Sequence, residues 1–522
     1  MNRTKMFSRV KSREKLWDFI VIGGGATGIG CAIDAASRGF DVLLLEQSDF
    51  GKGTSSRSTK LAHGGVRYLA QGNLSLVREA LKERAILLKN APHLVKIQSF
   101  IVPVYNFQDK IFYGSGLKIY NLLSGKYGFG KSKILSKDET VKNLPNINQK
   151  NLRGGIVYFD GQFDDARLLI NLAQTAAAQG ATLLNYAGVF EISKNSAGKI
   201  DGVSFQDAES GAVFEAKAKV VINAGGAFCD SIRKMSAAKS EKIIAPSQGI
   251  HLVFDKKFLP GENALMIPKT ADGRVLFAIP WHDKTLIGTT DTPIEKIELE
   301  PKPLETEIEF ILETVKNYLT NAPRRADITS VFAGIRPLVK NSKTKNTANL
   351  SRDHTIEIDE ANLLTITGGK WTTYRAMAED AVNQAIKLAG LSAADCRTEN
   401  LKIHGASENS EQSGDLAIYG SDAENILKLI DEDSALEKNL HEKFSYKIAE
   451  IVWMIRNEMP QTIEDVLARR TRALFLDAHS AIEIAPKIAE IMAGELGKDS
   501  DWIAVQIREF NDLARNYIVD KS

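Results

Sequence analysis

Cysteine is scarce in this chain. Its three cysteines, Cys31, Cys229 and Cys396, are spread over 522 residues and form no CxxC pair. That excludes a disulfide framework and a cysteine-based zinc or redox motif, and it fits a reducing compartment. Long apolar runs are missing too. Nothing approaches the ~18–20 uncharged residues that a spanning helix needs. An excess of charge of one sign is also absent: 67 lysines and arginines face 65 acids, for a formal charge of +2. Broad nucleic-acid binding needs a basic field, which this balance does not supply. What is present is ordinary for a folded protein, with 43% hydrophobic and 25% charged residues. A disordered chain, a collagen-like repeat and a multi-span membrane protein are thereby excluded. No internal repeat stands out. At roughly 100–200 residues per domain, the length predicts about two to four domains.

Residues 1–15 carry six basic side chains against Glu14 alone, with no apolar run behind them that would make a signal peptide. They read as a solvated basic tail, or as an arm that touches anionic lipid. From Asp18 the pattern changes. Phe19-Ile20-Val21-Ile22 predicts a buried strand, Cys31 to Arg38 a helix ended by Gly39, and Phe40 to Leu45 a second strand ending in Glu46. An amphipathic helix is predicted from near Asn73 to Pro92, and residues 100–160 read as short strands and glycine-rich turns. Ala166 to Gln179 predicts another helix. Two further strand–glycine elements follow, Val220 to Gly226 and Leu363 to Lys370, the second leading into a helix. Residues 404–415 are rich in Ser, Glu, Gln and Gly and suggest a linker to an all-helical region.

The strongest chemical signal is Gly23-x-Gly25-x-x-Gly28 between strand and helix, with Glu46 eighteen residues beyond Gly28. Gly23 suits the tight turn, Gly25 close approach of the backbone to a pyrophosphate, and Gly28 close helix–strand packing. Glu46 can accept from a ribose. This predicts a dinucleotide site. The fingerprint alone does not separate NAD from FAD. The three strand–glycine elements favour the larger cofactor, which needs several close approaches. The segment Thr54 to Tyr68 packs hydroxyls, bases, a histidine and glycines into fifteen residues, poor core material but suited to a polar ligand. No histidine, cysteine or acid cluster has metal-ligand spacing.

Several stretches together resemble FAD-dependent glycerol-3-phosphate dehydrogenases of the quinone-linked type. They are Asp18–Glu46, Thr54–Tyr68, Phe163–Leu168, Ile287–Asp291, Ala333–Leu338, Gly368–Arg375 and Asp465–Arg472. The likeness spans about residues 16–480. It implies oxidation of sn-glycerol 3-phosphate to dihydroxyacetone phosphate, with FAD as cofactor and quinone as electron acceptor. It also implies peripheral attachment to the cytoplasmic face of a membrane, and it allows a homodimer. Arg67, with Tyr68, and Arg336 match the family's substrate site, and Lys370 adds a charge near flavin and substrate. Arginine suits the phosphate because its planar fork binds oxyanions bidentately. The proton of the C2 hydroxyl needs a base, for which His63 and His251 are equal candidates, and Arg336 completes the catalytic set. The cofactor set is Gly23, Gly25, Gly28, Glu46, Thr54, Ser55, Ser56, Lys60, Leu61, His63, Gly64, Ala224, Gly225, Gly369, Lys370 and Thr372.

The expected fold class is α/β with α+β character. A Rossmann-like FAD-binding domain would be assembled from about 16–105, 150–235 and 335–395. A sheet-rich substrate domain, mainly 236–334, would be inserted in it, and a helical cap would occupy 396–522. Two other readings compete. One is an oxygen-dependent glycerol-3-phosphate oxidase, or an FAD-dependent amine or amino-acid oxidase; the family's oxidases tend to be longer, and an amino acid needs no dianion site. The other is a nucleotide-binding scaffold or RNA-associated flavoprotein, which the neutral charge disfavours.

Overall fold

A computed structural model describes residues 1–65, 73–340, 353–407 and 410–520. Two sheets organise it. The first runs in the order His354–Ile358, Leu364–Gly368, Val213–Asn223, Trp17–Ile22, Val42–Leu45, Thr182–Leu184. Trp17–Ile22 is its centre, parallel to Val213–Asn223 on one side and to Val42–Leu45 on the other. Phe19–Ile22 and Val42–Leu45 are continuously apolar because parallel strands are covered on both faces. Helix Ala26–Ser37 lies on this sheet between helices Asp165–Ala178 and Tyr374–Leu388. Its many small residues let the three pack closely. Gly30 is one: a Cβ there would come within 3.0 Å of the Tyr374 ring.

Among the described residues the second sheet has ten strands. Its core is the antiparallel set Ile244–Asp255, Lys284–Gly288, Leu276–Trp281 and Ser330–Val339. It also takes Val95–Val104 and Gly154–Phe163, which pair over ten residues. Within the spans expected for the Rossmann-like pieces, residues 95–104, 154–163 and 335–339 pair into the second sheet. Their composition is that of any buried strand, and only long-range pairing decides which sheet they join. Residues 100–160 are also not mainly short strands and turns, for an eighteen-residue helix, Phe107–Ser124, lies among them.

The N-terminal residues are not a solvated tail. Arg3–Lys11 is a helix capped by Asn2, with Met6, Phe7 and Val10 buried. Arg3 pairs with Asp207, and the Met1 amine donates to the Asn457 carbonyl at 2.6 Å. Three apolar residues among six basic ones make too narrow a stripe to stand out in the sequence.

The C-terminal region is helical, with Ile448–Asn457, Ala478–Leu496 and Ser500–Ala514 as its main elements beside one small hairpin. The stretch read as a linker passes into a run of tight 3₁₀ turns over Ser410–Asp422. Buried charges tie this region to the first sheet. Arg469 and Arg470 both bind Asp49, and Arg167 binds Glu458. Such pairs are costly to break, since the remaining charge is left desolvated. Among the described residues no helix is long and apolar enough to cross a membrane.

Candidate active site

The glycine-rich turn after Trp17–Ile22 shows why each glycine is there. Gly23 has φ +115°, and a Cβ on it would lie 2.6 Å from the Ala224 carbonyl oxygen. A Cβ on Gly28 would lie 1.9 Å from the Gly23 carbonyl oxygen. Both positions therefore exclude any side chain. Gly25 differs. It caps helix Ala26–Ser37, and a Cβ there would meet only Ser55 Oγ at 3.1 Å. Ser55 Oγ itself accepts from Ala26 N at 3.0 Å. Glu46 accepts from Gly24 N at 2.6 Å and from Ser48 N at 2.9 Å. Burial raises its carboxyl pKa, opposed by these two bonds. Each oxygen keeps a second lone pair for a ribose hydroxyl.

From this turn a channel of four cavities crosses the molecule. The first, about 290 Å³, is lined by Gly23, Gly25, Glu46, Ala224 and Gly225. The second, about 130 Å³, continues past Thr54, Ser55, Gly369 and Lys370. The third, about 190 Å³, adds Thr372, His63, His251 and Arg336. The fourth, about 160 Å³, holds His63 and Arg336 again, with Arg274 and Asp291. Each shares lining residues with the next. An elongated path that begins at a glycine-rich turn and a helix N-terminus, and passes Gly368 and Gly369, fits a flavin dinucleotide with its diphosphate at Gly25.

Most of the sequence-predicted cofactor residues line this path. Ser56, Lys60, Gly28 and Gly64 do not line any of the four cavities. Gly28 acts by packing. Lys60 is buried and turned away, with Nζ 2.7 Å from Asp165 Oδ2. Gly64 N donates to Asp160 Oδ1 at 3.0 Å, and Tyr120 and Leu81 close over it. Arg67 and Tyr68 lie outside the described residues.

The reacting end is built by strand alternation. On Ile244–Asp255, Gly249 and His251 are two residues apart and share a face. Arg336 comes from the neighbouring strand, where it faces Ser247. Its guanidinium lies over Gly249, where a Cβ would sit 2.4 Å away. It donates to Thr289 Oγ1 at 3.0 Å and stands 3.5 Å from Asp291. The His251 ring lies over Gly288 and stacks on Phe332, with centroids 4.9 Å apart. Thr59 Oγ1 is 2.9 Å from His251 Nε2. Burial, then Lys60 and Arg336, hold the His251 pKa well below the usual 6.5, so the ring is neutral in the free protein.

Three residues of this end were not predicted from sequence. Arg274 Nη1 lies 3.5 Å from Asp291 Oδ2, opposite Arg336 on the same carboxylate. Read alone, it is one arginine opening a strand, and such residues are usually surface ion pairs. Asp291 belongs to a stretch the sequence did single out, but nothing local says that it bridges two arginines. Thr59 is one hydroxyl among several in its segment. Among the described residues no group of His, Cys, Asp and Glu is arranged to hold a metal.

Comparison with known proteins places this geometry in a family. A family model described as FAD dependent oxidoreductase matches residues 18–380, and one described as C-terminal domain of alpha-glycerophosphate oxidase matches 396–502. The mitochondrial glycerol-3-phosphate dehydrogenase of Rattus norvegicus is 40% identical over 96% of this chain and 73% of its own length. That of Arabidopsis thaliana is 40% identical over 92% of this chain and 82% of its own. The structure of the Bacillus halodurans glycerol-3-phosphate dehydrogenase complexed with FAD superimposes with a TM-score of 0.80 at 28% identity, covering 99% of this chain and 97% of that one. An L-α-glycerophosphate oxidase from Mycoplasma pneumoniae shares the fold at 17% identity and a TM-score of 0.57, over 74% of this chain and 98% of that one. With these matches over nearly its whole length, this chain belongs to the FAD-dependent glycerol-3-phosphate dehydrogenase family.

Proposed function

We propose that the protein oxidises sn-glycerol 3-phosphate to dihydroxyacetone phosphate and passes the electrons to a quinone at a membrane surface. The observation that carries the substrate assignment is the end of the channel, where Arg336 lines two adjoining cavities, with Lys370 and His251 in one and Arg274 in the other. Bound FAD supplies the acceptor for the hydride from C2. The protein's own groups do the rest. Arg336 and Arg274 face the phosphate, and Asp291 between them holds the two guanidinium groups apart and aimed. Tyr158, Met266 and Phe277 on the fourth cavity exclude water and strengthen those contacts. Of the two histidines, His251 is the better base. It is buried and neutral, and its pKa is depressed partly by Lys60 and Arg336. A dianionic substrate offsets those positive charges, so the ring becomes more basic when substrate is present.

The membrane part of the proposal rests on helix Phe107–Ser124. Its inner face packs on the second sheet through Leu117 and Tyr120. Its outer face leaves Phe107 64%, Phe112 62% and Leu122 81% exposed, with Ile111 and Ile119 beside them. Lys110 and Lys118 lie on this helix and Lys126, Lys131 and Lys133 follow it in sequence, against Asp109 as the only acid over residues 107–135. An apolar helix face accompanied by lysines is the signature of attachment in the plane of an anionic lipid surface. Tyr120 of this helix donates to Asp160, which holds Gly64 beside His63. The surface therefore backs directly onto the reacting end, a short route for a lipid-soluble acceptor.

Steady-state turnover tests the acceptor assignment. FAD-loaded protein should oxidise glycerol 3-phosphate rapidly with a short-chain quinone and slowly with oxygen. Stoichiometric hydrogen peroxide at full rate would instead identify an oxidase.

A further inference from the structure

The loop Ser56–Lys60 is held by more contacts than a cavity wall needs. Asp165 Oδ2 accepts from Ser58 N at 2.9 Å, from Ser58 Oγ at 2.7 Å and from Lys60 Nζ at 2.7 Å. Lys60 Nζ also donates to the Ser56 carbonyl at 2.9 Å. Lys60 has φ +62°, a left-handed conformation that a lysine keeps only where its surroundings impose it. A second clamp comes from the C-terminal domain. Arg472 Nη2 donates to the Ser56 carbonyl at 2.8 Å and lies 3.2 Å from Asp165 Oδ1. Lys60, Asp165 and Arg472 are all buried.

What this anchoring fixes is Thr59. Its side chain lines both the third and the fourth cavity, and Oγ1 stands 2.9 Å from His251 Nε2. Other contacts of the ring are apolar or steric: the Phe332 face and the clearance at Gly288. Nδ1 makes no hydrogen bond among the described residues. Stacking sets the plane of the ring, and among the described residues Thr59 alone sets the direction of its nitrogens within that plane. A hydroxyl can donate to bare Nε2 or, by rotating, accept from Nε2–H, so it holds the ring in either tautomer.

We propose that Thr59 is a positioning residue for His251, and that the buried Asp165–Lys60–Arg472 cluster, with its arginine from the C-terminal domain, holds Thr59 in place. The proposal rests on His251 being the base. It also gives the C-terminal domain a part in the reaction, since that domain's Arg472 reaches the loop beneath the substrate.

The test is the rate at which glycerol 3-phosphate bleaches bound flavin without oxygen, read in single and double variants. A misplacement of about 1 Å typically costs ~100-fold. Thr59→Val should therefore slow bleaching by roughly 30- to 100-fold. Flavin content and the dissociation constant for substrate should stay near wild type. Thr59→Ser, which keeps the hydroxyl, should restore most of the rate. Arg472→Lys should slow bleaching by less, and should add nothing in the Thr59→Val background. In a His251→Gln background, Thr59→Val should also add nothing, because its effect passes through that ring. Wild-type bleaching in Thr59→Val overturns the proposal, as does a loss that persists undiminished in the His251→Gln background. Wild-type bleaching in His251→Gln alone shows instead that the base is misassigned, and the proposal falls with it.

Discussion

Replacing Arg336 by alanine removes one cation from the end of the channel and leaves Arg274 and Lys370 in place. The guanidinium donates to Thr289 Oγ1 at 3.0 Å and to the Gln248 carbonyl at 3.4 Å, and it lies 3.5 Å from Asp291. Those contacts aim it before substrate arrives, so little of its binding energy is lost to ordering. Truncating one partner of a desolvated charge pair costs ~2–5 kcal/mol. Because Arg274 shares the same carboxylate and stays, the lower part of that range applies, about 2–3 kcal/mol. At ~1.4 kcal/mol per tenfold, kcat/KM for glycerol 3-phosphate should fall roughly 30- to 150-fold in Arg336→Ala. Arg336→Lys should recover only part of this, since an ammonium cannot make the planar fork. Flavin content should be unchanged. Glycerol, which has no phosphate, provides the control, and its poor turnover should fall much less. Equal losses for both substrates with flavin intact would refute the phosphate role and place Arg336 at C2 itself.

Two of the three fingerprint glycines should fail in different ways. Gly28→Ala puts a Cβ 1.9 Å from the Gly23 carbonyl oxygen and should give little folded protein, read by thermal unfolding. Gly25→Val fills the channel without a backbone clash, so it should fold yet purify without flavin; full flavin content would contradict the channel assignment. Glu450, buried under Tyr419, has its pKa raised to about 7 from 4.5, chiefly by burial. It stays protonated in the folded state while the unfolded chain ionises. Its contribution is therefore whole below pH ~4.5 and lost as pH rises through ~7. Glu450→Gln should consequently show a smaller drop in Tm between pH 5 and pH 8 than the wild type, and an unchanged drop would refute the shift. Finally, Phe112→Ser with Leu122→Ser should abolish sedimentation with anionic vesicles while sparing flavin content. Undiminished sedimentation would remove helix Phe107–Ser124 from the membrane.

The parts of the fold legible in the sequence were those with steric signatures. The three strand–glycine elements could be read because each ends in a turn that needs glycine, with positive φ at Gly23, Gly226, Gly368 and Gly369. Helix Leu74–Asn90 could be read from its one-sided apolar pattern and its Asn73 cap. Helix Phe107–Ser124 could not, because apolar residues lie on both of its faces and erase the periodicity. Sheet membership was hidden for a different reason: Val95–Val104 pairs with strands about 60 and 160 residues away, and no local pattern encodes that. The same distance hid part of the site. His251, Arg336 and Lys370 were visible through their motifs. Arg274 and Thr59 gain meaning only from Asp291 and His251, which the second sheet brings to them.

An anaerobic absorption spectrum with added substrate bears on the whole reading at once. The purified protein should be yellow, with one FAD per chain. One equivalent of sn-glycerol 3-phosphate should bleach it and yield one equivalent of dihydroxyacetone phosphate, while glycine and glycerol at the same concentration should leave it coloured. A colourless protein, or a flavin that an amino acid bleaches and glycerol 3-phosphate does not, would contradict the assignment.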